Sequence, residues 1–181
     1  MRRFPGPGFV FFLLLLSLPV QGQPQSPTRQ AADRLMTTIG LEQRVDAIVQ
    51  LYVNFLPTQT PEQQSKAATL RERAPMAGPR FRSATVNAAA ASYTREEIEA
   101  LDAYFASGEG QRLLNTVLTR AVLGVSQKGG VKGGDILRPE DLPKDNPALQ
   151  AAAAKYPKFE ANARRELQRE FAQEIALITG R

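Results

Sequence analysis

The segment from Ser92 to Leu114 constrains the fold more than any other part of the chain, because it fixes where helices begin and end. Thr94 can cap a helix with its hydroxyl while Glu97, three residues later, reaches back to the amide of the cap, which forms a capping box. Tyr93 before the cap and Ile98 at the fourth helical position can pack together as a hydrophobic staple. The sequence therefore predicts a helix that begins directly after Thr94.

A second helix start lies in the same segment and predicts a helical hairpin. Ser107 and Gly108 end the first helix, since glycine tolerates the left-handed turn at a helix end and serine satisfies free amides at the next helix start. The second helix begins near Glu109, and its apolar residues follow one helical stripe. They are Leu114, Val117, Leu118, Ala121, Val122 and Val125. Two helices joined by so short a turn pack as an antiparallel hairpin.

The residues of this hairpin resemble those of a known protein family. The matching positions are Tyr93-Thr94, Glu96-Glu97-Ile98, Leu101, Tyr104-Phe105, Ser107, Gly110 and Gln111-Arg112-Leu113. On these residues the chain resembles the exported bacterial family catalogued as domain of unknown function 2059, with a family-like core at about residues 80–126. The resemblance implies an all-helical fold and export, and it offers no catalytic residues because that family has no established activity. The chain departs from the family pattern at Gly108, where relatives typically have proline, and in the glycine-rich stretch after Gln127.

The N-terminal residues have the pattern of a secretory signal peptide. Arg2 and Arg3 precede an apolar run at residues 9–16, and a small-residue cleavage site ends at Gly22. The apolar run is shorter than the roughly twenty residues that a transmembrane helix needs, although a retained anchor is the alternative. We therefore predict a signal peptide at residues 1–22, a single helical domain at residues 23–181, and a periplasmic or secreted location.

The composition excludes several classes of function. The chain has no histidine and no cysteine, which removes the usual general bases, thiol nucleophiles and transition-metal ligands. We therefore predict no cofactor and no metal. The formal net charge of +5 falls to +3 when Arg2 and Arg3 leave with the signal peptide, and so small a surplus does not predict a nucleic-acid partner.

The residues before the hairpin predict four helices. The first begins at Ser26-Pro27 and ends at Gly40, and the second continues to Pro57 with a broad apolar stripe that indicates a core helix. The third begins with the capping box of Thr60 and Gln63, is polar, and runs to about Ala74. Pro75, Gly78 and Pro79 are then expected to break the chain before an alanine-rich helix that leads to Tyr93.

The residues after the hairpin predict a loop and a long helix. Residues 128–147 are rich in glycine and proline and are expected to form a mobile loop. The apolar stripe of one long C-terminal helix follows, with members Tyr156, Phe159, Ala163, Leu167, Phe171, Ile175 and Ile178. The predicted fold is all-α, an irregular helical bundle built around the central hairpin, with the glycine-rich loop before the long C-terminal helix.

Two features are candidates for a partner surface. The densest basic patch surrounds the proline break and has only Glu72 in opposition; its members are Arg71, Arg73, Arg80 and Arg82. Tyr104 and Phe105 are neighbours on a helix and point about 100° apart, so one of the two rings, that of Tyr104, is a candidate for exposure. An ordinary solvated face and a core that buries both rings are the alternatives.

These features favour an exported, non-enzymatic protein that binds an envelope protein or an anionic polymer. Two alternatives remain open. Glu166, Glu170 and Glu174 stand four residues apart and could serve a small carboxylate-dependent hydrolase, although ion pairing on a solvated face explains the same spacing. The other alternative is a helical lipid carrier, and the oligomeric state is not predicted.

The capping box of Thr94 yields a first testable prediction. The Thr94→Ala substitution leaves an amide of the first helical turn without its acceptor, so the free energy of unfolding should fall by about 1 kcal/mol. The thermal unfolding midpoint measures this effect, and a midpoint that does not move would contradict the predicted hairpin start.

Overall fold

The computed structural model of this protein describes residues 26–125 and 138–179, and every regular element within them is helical. The α-helices are α1 (Pro27–Thr38), α2 (Leu41–Asn54), α3 (Pro61–Arg73), α4 (Ala77–Ser92), α5 (Arg95–Ala106), α6 (Gly108–Val125), α7 (Pro147–Ala154), α8 (Tyr156–Glu170) and α9 (Ala172–Thr179), with 3₁₀ turns at Ala74–Met76 and Pro139–Asp141. The predicted all-α bundle is confirmed. The predicted signal peptide and the glycine-rich residues 126–137 lie outside the described residues.

Both predicted capping boxes are present. Thr94 Oγ1 accepts a hydrogen bond from the amide of Glu97 at 3.3 Å, and the carboxylate of Glu97 accepts one from the amide of Thr94 at 2.8 Å. Thr60 and Gln63 make the equivalent pair of bonds at the start of α3, each at 3.2 Å. Local sequence therefore fixes these two helix starts.

The predicted hairpin also forms, with α5 and α6 packed against each other. Ser107 ends α5, and its hydroxyl accepts a hydrogen bond from the amide of Gly110 at 3.1 Å. Any side chain at Gly110 would collide with the carbonyl oxygen of Tyr104, so only glycine permits so tight a turn. On α6, Leu114 is buried; the side chains of residues 118–125 lie outside the described residues.

The main core forms where α4 packs against α8, α1 and α2, and α1 packs against α5. Ala84, Ala88 and Ala89 of α4 are almost completely buried, and their small side chains let neighbouring helices approach closely. The hairpin contributes Ile98, a fully buried side chain, to the same core. Among the described helices, the alanine-rich α4 and α8 form the most extensively packed pair.

The prediction that α2 is a core helix is wrong. Only Val53 of this helix is buried, whereas Ile48 is 60%, Leu51 61% and Phe55 80% exposed. The helical spacing correctly indicated an apolar stripe, but spacing does not show whether another element covers that stripe. Here α2 packs on α4 along one edge and leaves the rest of its stripe uncovered.

The expected break at Gly78 and Pro79 is also wrong. The chain turns at Ala74–Met76, and α4 already begins at Ala77, so both residues lie in its first turn. Proline is tolerated there because first-turn amides have no partner within the helix. One of those amides, that of Gly78, donates instead to Asp46 Oδ1 of α2 at 3.0 Å.

The second half of the predicted mobile loop is fixed to the core. Leu142 is buried in the main cluster, and Gln150 Nε2 donates to the carbonyl oxygens of Leu142 at 3.2 Å and Pro143 at 3.1 Å. The predicted long C-terminal helix is divided as well, because the backbone leaves the helical path at Phe171, between α8 and α9. Proline and glycine content did not reveal the contacts that fix the loop, and helical spacing did not reveal the break at Phe171.

An ion pair with a buried carboxylate and a partly exposed lysine joins the hairpin to the C-terminal part of the chain. Glu97 Oε1 lies 2.6 Å from Lys155 Nζ, at the junction of α7 and α8. Burial alone would raise the pKa of Glu97, but hydrogen bonds from Lys155 and from the amide of Thr94 outweigh it and hold the pKa below its ordinary value of 4.5. The charged carboxylate therefore stabilises the fold above pH 4.5, and this contribution is lost as the pH falls through the lowered pKa.

We expect Glu97→Gln to lower the free energy of unfolding by about 1 kcal/mol near neutral pH, a figure kept small because Lys155 is partly in water. The difference from the wild type should shrink in acid, where Glu97 itself becomes protonated. Urea unfolding at neutral and acidic pH measures both effects. Glu96→Gln, at the exposed neighbouring position, is the control, and an equal loss in the two variants would contradict a specific role for Glu97.

Candidate functional site

The predicted basic patch is largely used inside the molecule. Arg80 Nη1 lies 2.7 Å from Glu174 Oε1, and its Nε lies 3.5 Å from Glu170 Oε1. Arg73 Nη1 lies 3.4 Å from the same oxygen of Glu174. Hydrogen bonding to Arg80 lowers the pKa of Glu174, which keeps that carboxylate ionised. Two of the four arginines thus bind α9.

Arg82 faces a different part of the molecule. Its guanidinium lies 2.9 Å from Asp33 Oδ1, 2.6 Å from Thr37 Oγ1 and 3.6 Å from Glu42 Oε2. Arg71 is exposed and is the member of the patch that these ion pairs do not use. The structure therefore does not bring the four arginines together on one free surface.

Tyr104 and the three candidate catalytic carboxylates also make contacts within the molecule. Tyr104 is half-buried beside the core, with its ring at 5.6 Å and edge-on to that of Phe105. Of the three candidate catalytic carboxylates, Glu170 and Glu174 bind Arg80, and Glu166 Oε2 lies 2.6 Å from Arg169. Each of the three acids therefore has an arginine partner in the same molecule.

The sequence analysis did not identify an apolar groove of about 620 Å³ that lies between α2 and α8. Side chains from α2, α4, α8, α9 and the residue between the last two form its walls: Val45, Ile48, Val49, Phe81, Ala163, Leu167, Phe171 and Ile175. This volume lies within the range of roughly 300–1,000 Å³ typical of small-molecule sites. We call this feature the α2–α8 groove.

The groove follows from the way its two walls pack. Both α2 and α8 pack against α4, but they make little contact with each other. Each presents an apolar stripe toward the gap, and Phe81 of α4 lies between them. No residue of α8 is fully buried. Phe159 near its start packs against the main core, whereas Ala163 and Leu167 further along line the groove.

One rim of the α2–α8 groove is charged. Glu160 and Arg164 of α8 line the groove and also line a shallow polar depression beside it, which Arg165 completes. Arg164 Nη2 lies 3.2 Å from Glu160 Oε1, and the Arg164 side chain is 69% exposed. The apolar groove therefore opens next to two solvent-accessible guanidinium groups.

Two further properties bear on function. In the part of the chain that the structure describes, no helix combines the length and hydrophobicity needed to cross a membrane. The described residues also bring together no group of three or more acidic side chains suited to hold a metal ion.

Comparison of the chain with known protein families, curated proteins and solved structures finds no match. The resemblance given above therefore stays a prediction.

The internal contacts of Arg82 predict a structural role for it. Arg82→Gln should lower the free energy of unfolding by about 1 to 3 kcal/mol, since it removes charge-assisted bonds to Asp33 and leaves partly buried acceptors unpaired. Arg71→Gln is the matched control and should change stability by less than about 0.5 kcal/mol. Chemical denaturation of both variants measures the effect; similar stabilities would show that Arg82 is free to serve a partner instead.

Proposed function

We propose that this chain is an exported, non-enzymatic lipid-binding protein that holds an aliphatic chain in the α2–α8 groove. The observation that carries the proposal is the groove itself, whose walls are mainly apolar side chains from four helices and from Phe171. The export of the protein rests on the predicted signal peptide at residues 1–22.

An aliphatic chain suits this groove for an energetic reason. Each methylene group removed from water contributes about 0.8 kcal/mol, and the apolar walls offer it contacts without requiring polar partners. A ligand with polar groups along its length would have to leave them unsatisfied against Val49, Leu167 and Phe171, at a cost of roughly 1–3 kcal/mol for each group. The groove therefore favours ligands whose buried part is hydrocarbon.

The charged rim favours an anionic head group on the same ligand. The guanidinium group of arginine matches carboxylate and phosphate groups in geometry. Arg164 is paired with Glu160 on an exposed helix surface, where such a pair contributes only about 0.3–0.5 kcal/mol. Exchanging that partner for a ligand's anion is therefore inexpensive, and Arg165 lies beside it.

The basic patch predicted from the sequence supports this function less well than the groove does. To bind an anionic polymer, Arg80 would have to leave Glu174 without a partner, and that side chain is only 12% exposed. Arg82 would have to give up its bonds to Asp33, Thr37 and Glu42 together. A hydrolase that uses Glu170 or Glu174 meets the same difficulty, because both acids are already bound to Arg80. The helical lipid carrier is therefore the alternative that the geometry favours.

A matched pair of substitutions on α2 tests the proposal. Ile48 lines the groove and Leu51 does not, although both are about 60% exposed on the same helix. Ile48→Asn should weaken the binding of a fluorescent fatty acid roughly tenfold, because one apolar wall residue is lost. Leu51→Asn should leave this affinity unchanged.

The same experiment includes a direct search for ligand. The full-length chain is expressed in a bacterial host, the processed protein is purified, and native mass spectrometry then looks for co-purified lipid. Bound lipid together with selective loss in Ile48→Asn supports the proposal. Absence of lipid and of fatty-acid binding in the wild type would refute it.

A second candidate function rests on the uncovered part of α2. Leu51 and Phe55 lie outside the groove and are 61% and 80% exposed, and a group of large exposed apolar side chains is typical of a protein-binding surface. An amphipathic helix of an envelope protein is the partner that would cover them. In that case Leu51→Asn would abolish capture of the partner from envelope extracts, and Ile48→Asn would weaken it less.

A further inference from the structure

The end of the α2–α8 groove is formed by a helix that is separated from the one before it. At Phe171 the backbone angles are φ −108° and ψ 21°, outside the helical region, and α9 begins at the next residue. Arg80 of α4 donates a hydrogen bond to the carbonyl oxygen of Glu170 at this point. A side chain that inserts into the hydrogen-bond ladder is a recognised cause of such helix breaks.

Arg80 contacts the break on several sides. Its guanidinium carbon lies 4.5 Å from the centre of the Phe171 ring, in cation–π geometry. Its ion pairs reach Glu170 before the break and Glu174 after it. One arginine thus holds the end of α8, the break and the start of α9.

The same elements form the wall of the groove. Phe171 and Ile175 line the groove, whereas Arg80 and Glu174 do not. Further along α9, Leu177 packs against a small separate cluster that contains Val53. The position of this wall therefore depends on a few apolar contacts, on the ion pairs of Arg80, and on Arg73, which donates to Gln173 Oε1 at 2.7 Å.

Glu174 is the acid that completes this attachment. Its side chain is only 12% exposed, with Oε1 within 2.7 Å of Arg80 and 3.4 Å of Arg73. Its second oxygen, Oε2, is buried without a hydrogen-bond partner. A buried acceptor left unpaired is unfavourable, so this attachment of α9 is not maximally stabilised.

We infer that the segment from Phe171 to Ile178 is a hinged lid at the end of the α2–α8 groove, and that Arg80 and Glu174 are positioning residues that latch it closed. This inference rests on the proposed lipid-binding function. The hinge is at Phe171, where the helix is already interrupted. Opening moves the side chains of Phe171 and Ile175 away from the groove and widens it at this end, which eases the entry and exit of an aliphatic chain.

Binding kinetics test the latch. Glu174→Gln keeps the size of the side chain but removes its charge, so the lid should open more often. We expect both the association and dissociation rates of a fluorescent fatty acid to rise roughly fivefold or more. Glu166→Gln is the control. It removes the charge of an acid that is paired with Arg169 one helical turn before Glu170, and it should leave both rates unchanged.

A distance measurement tests the lid without any ligand. Because the chain has no cysteine, Gln50→Cys and Ile178→Cys introduce a unique pair of spin labels on α2 and on the lid. The distance distribution should be narrow in this labelled protein and broader, with longer distances, when Glu174→Gln is added. Circular dichroism confirms that each variant is folded.

The outcomes separate the two proposals. If the wild type binds no fatty acid but the distance distribution broadens as expected, the lid is supported and the lipid-binding function fails. If the wild type binds fatty acid while Glu174→Gln changes neither the rates nor the distances, the function is supported and the latch is refuted.

Discussion

The close approach of helices to α4 is the constraint on which the rest of the structure depends. Ala84, Ala88 and Ala89 present almost no side chain, so α8, α1 and α2 can pack against one helix. Because three helices pack around α4, α2 and α8 lie on either side of Phe81. Their apolar stripes then face a gap instead of each other, and the α2–α8 groove is the result.

Charge pairs add to the apolar contacts that hold distant parts of the chain together. Glu97 joins the hairpin to Lys155, Arg82 joins α4 to α1, and Arg80 joins α4 to α9. In each case a side chain on one helix meets a counter-ion that is distant in the sequence. Most arginines of the basic patch predicted from the sequence thus form intramolecular ion pairs. The solvent-accessible arginines beside the groove lie on α8 instead.

Capping chemistry could be predicted from the sequence because it acts over three or four residues. Thr60 and Thr94 cap helices as expected, and Ser107 joins the two helices of the hairpin. Whether an apolar stripe is covered could not be predicted, since α2 and α8 show the same spacing whether they face a core or a groove. The partners of Arg80 could not be predicted either, because only the tertiary fold brings Glu174 close to it.

The alanines of α4 also affect how such a fold diverges. Enlarging Ala88 or Ala89 would force apart the helices packed against them, so these positions tolerate little variation, whereas exposed positions such as Arg71 tolerate more. Alanine is among the commonest residues in proteins, and a shared alanine is weak evidence of common ancestry. A fold that depends on small residues can therefore persist in a lineage long after its members have ceased to be recognisable as relatives by sequence.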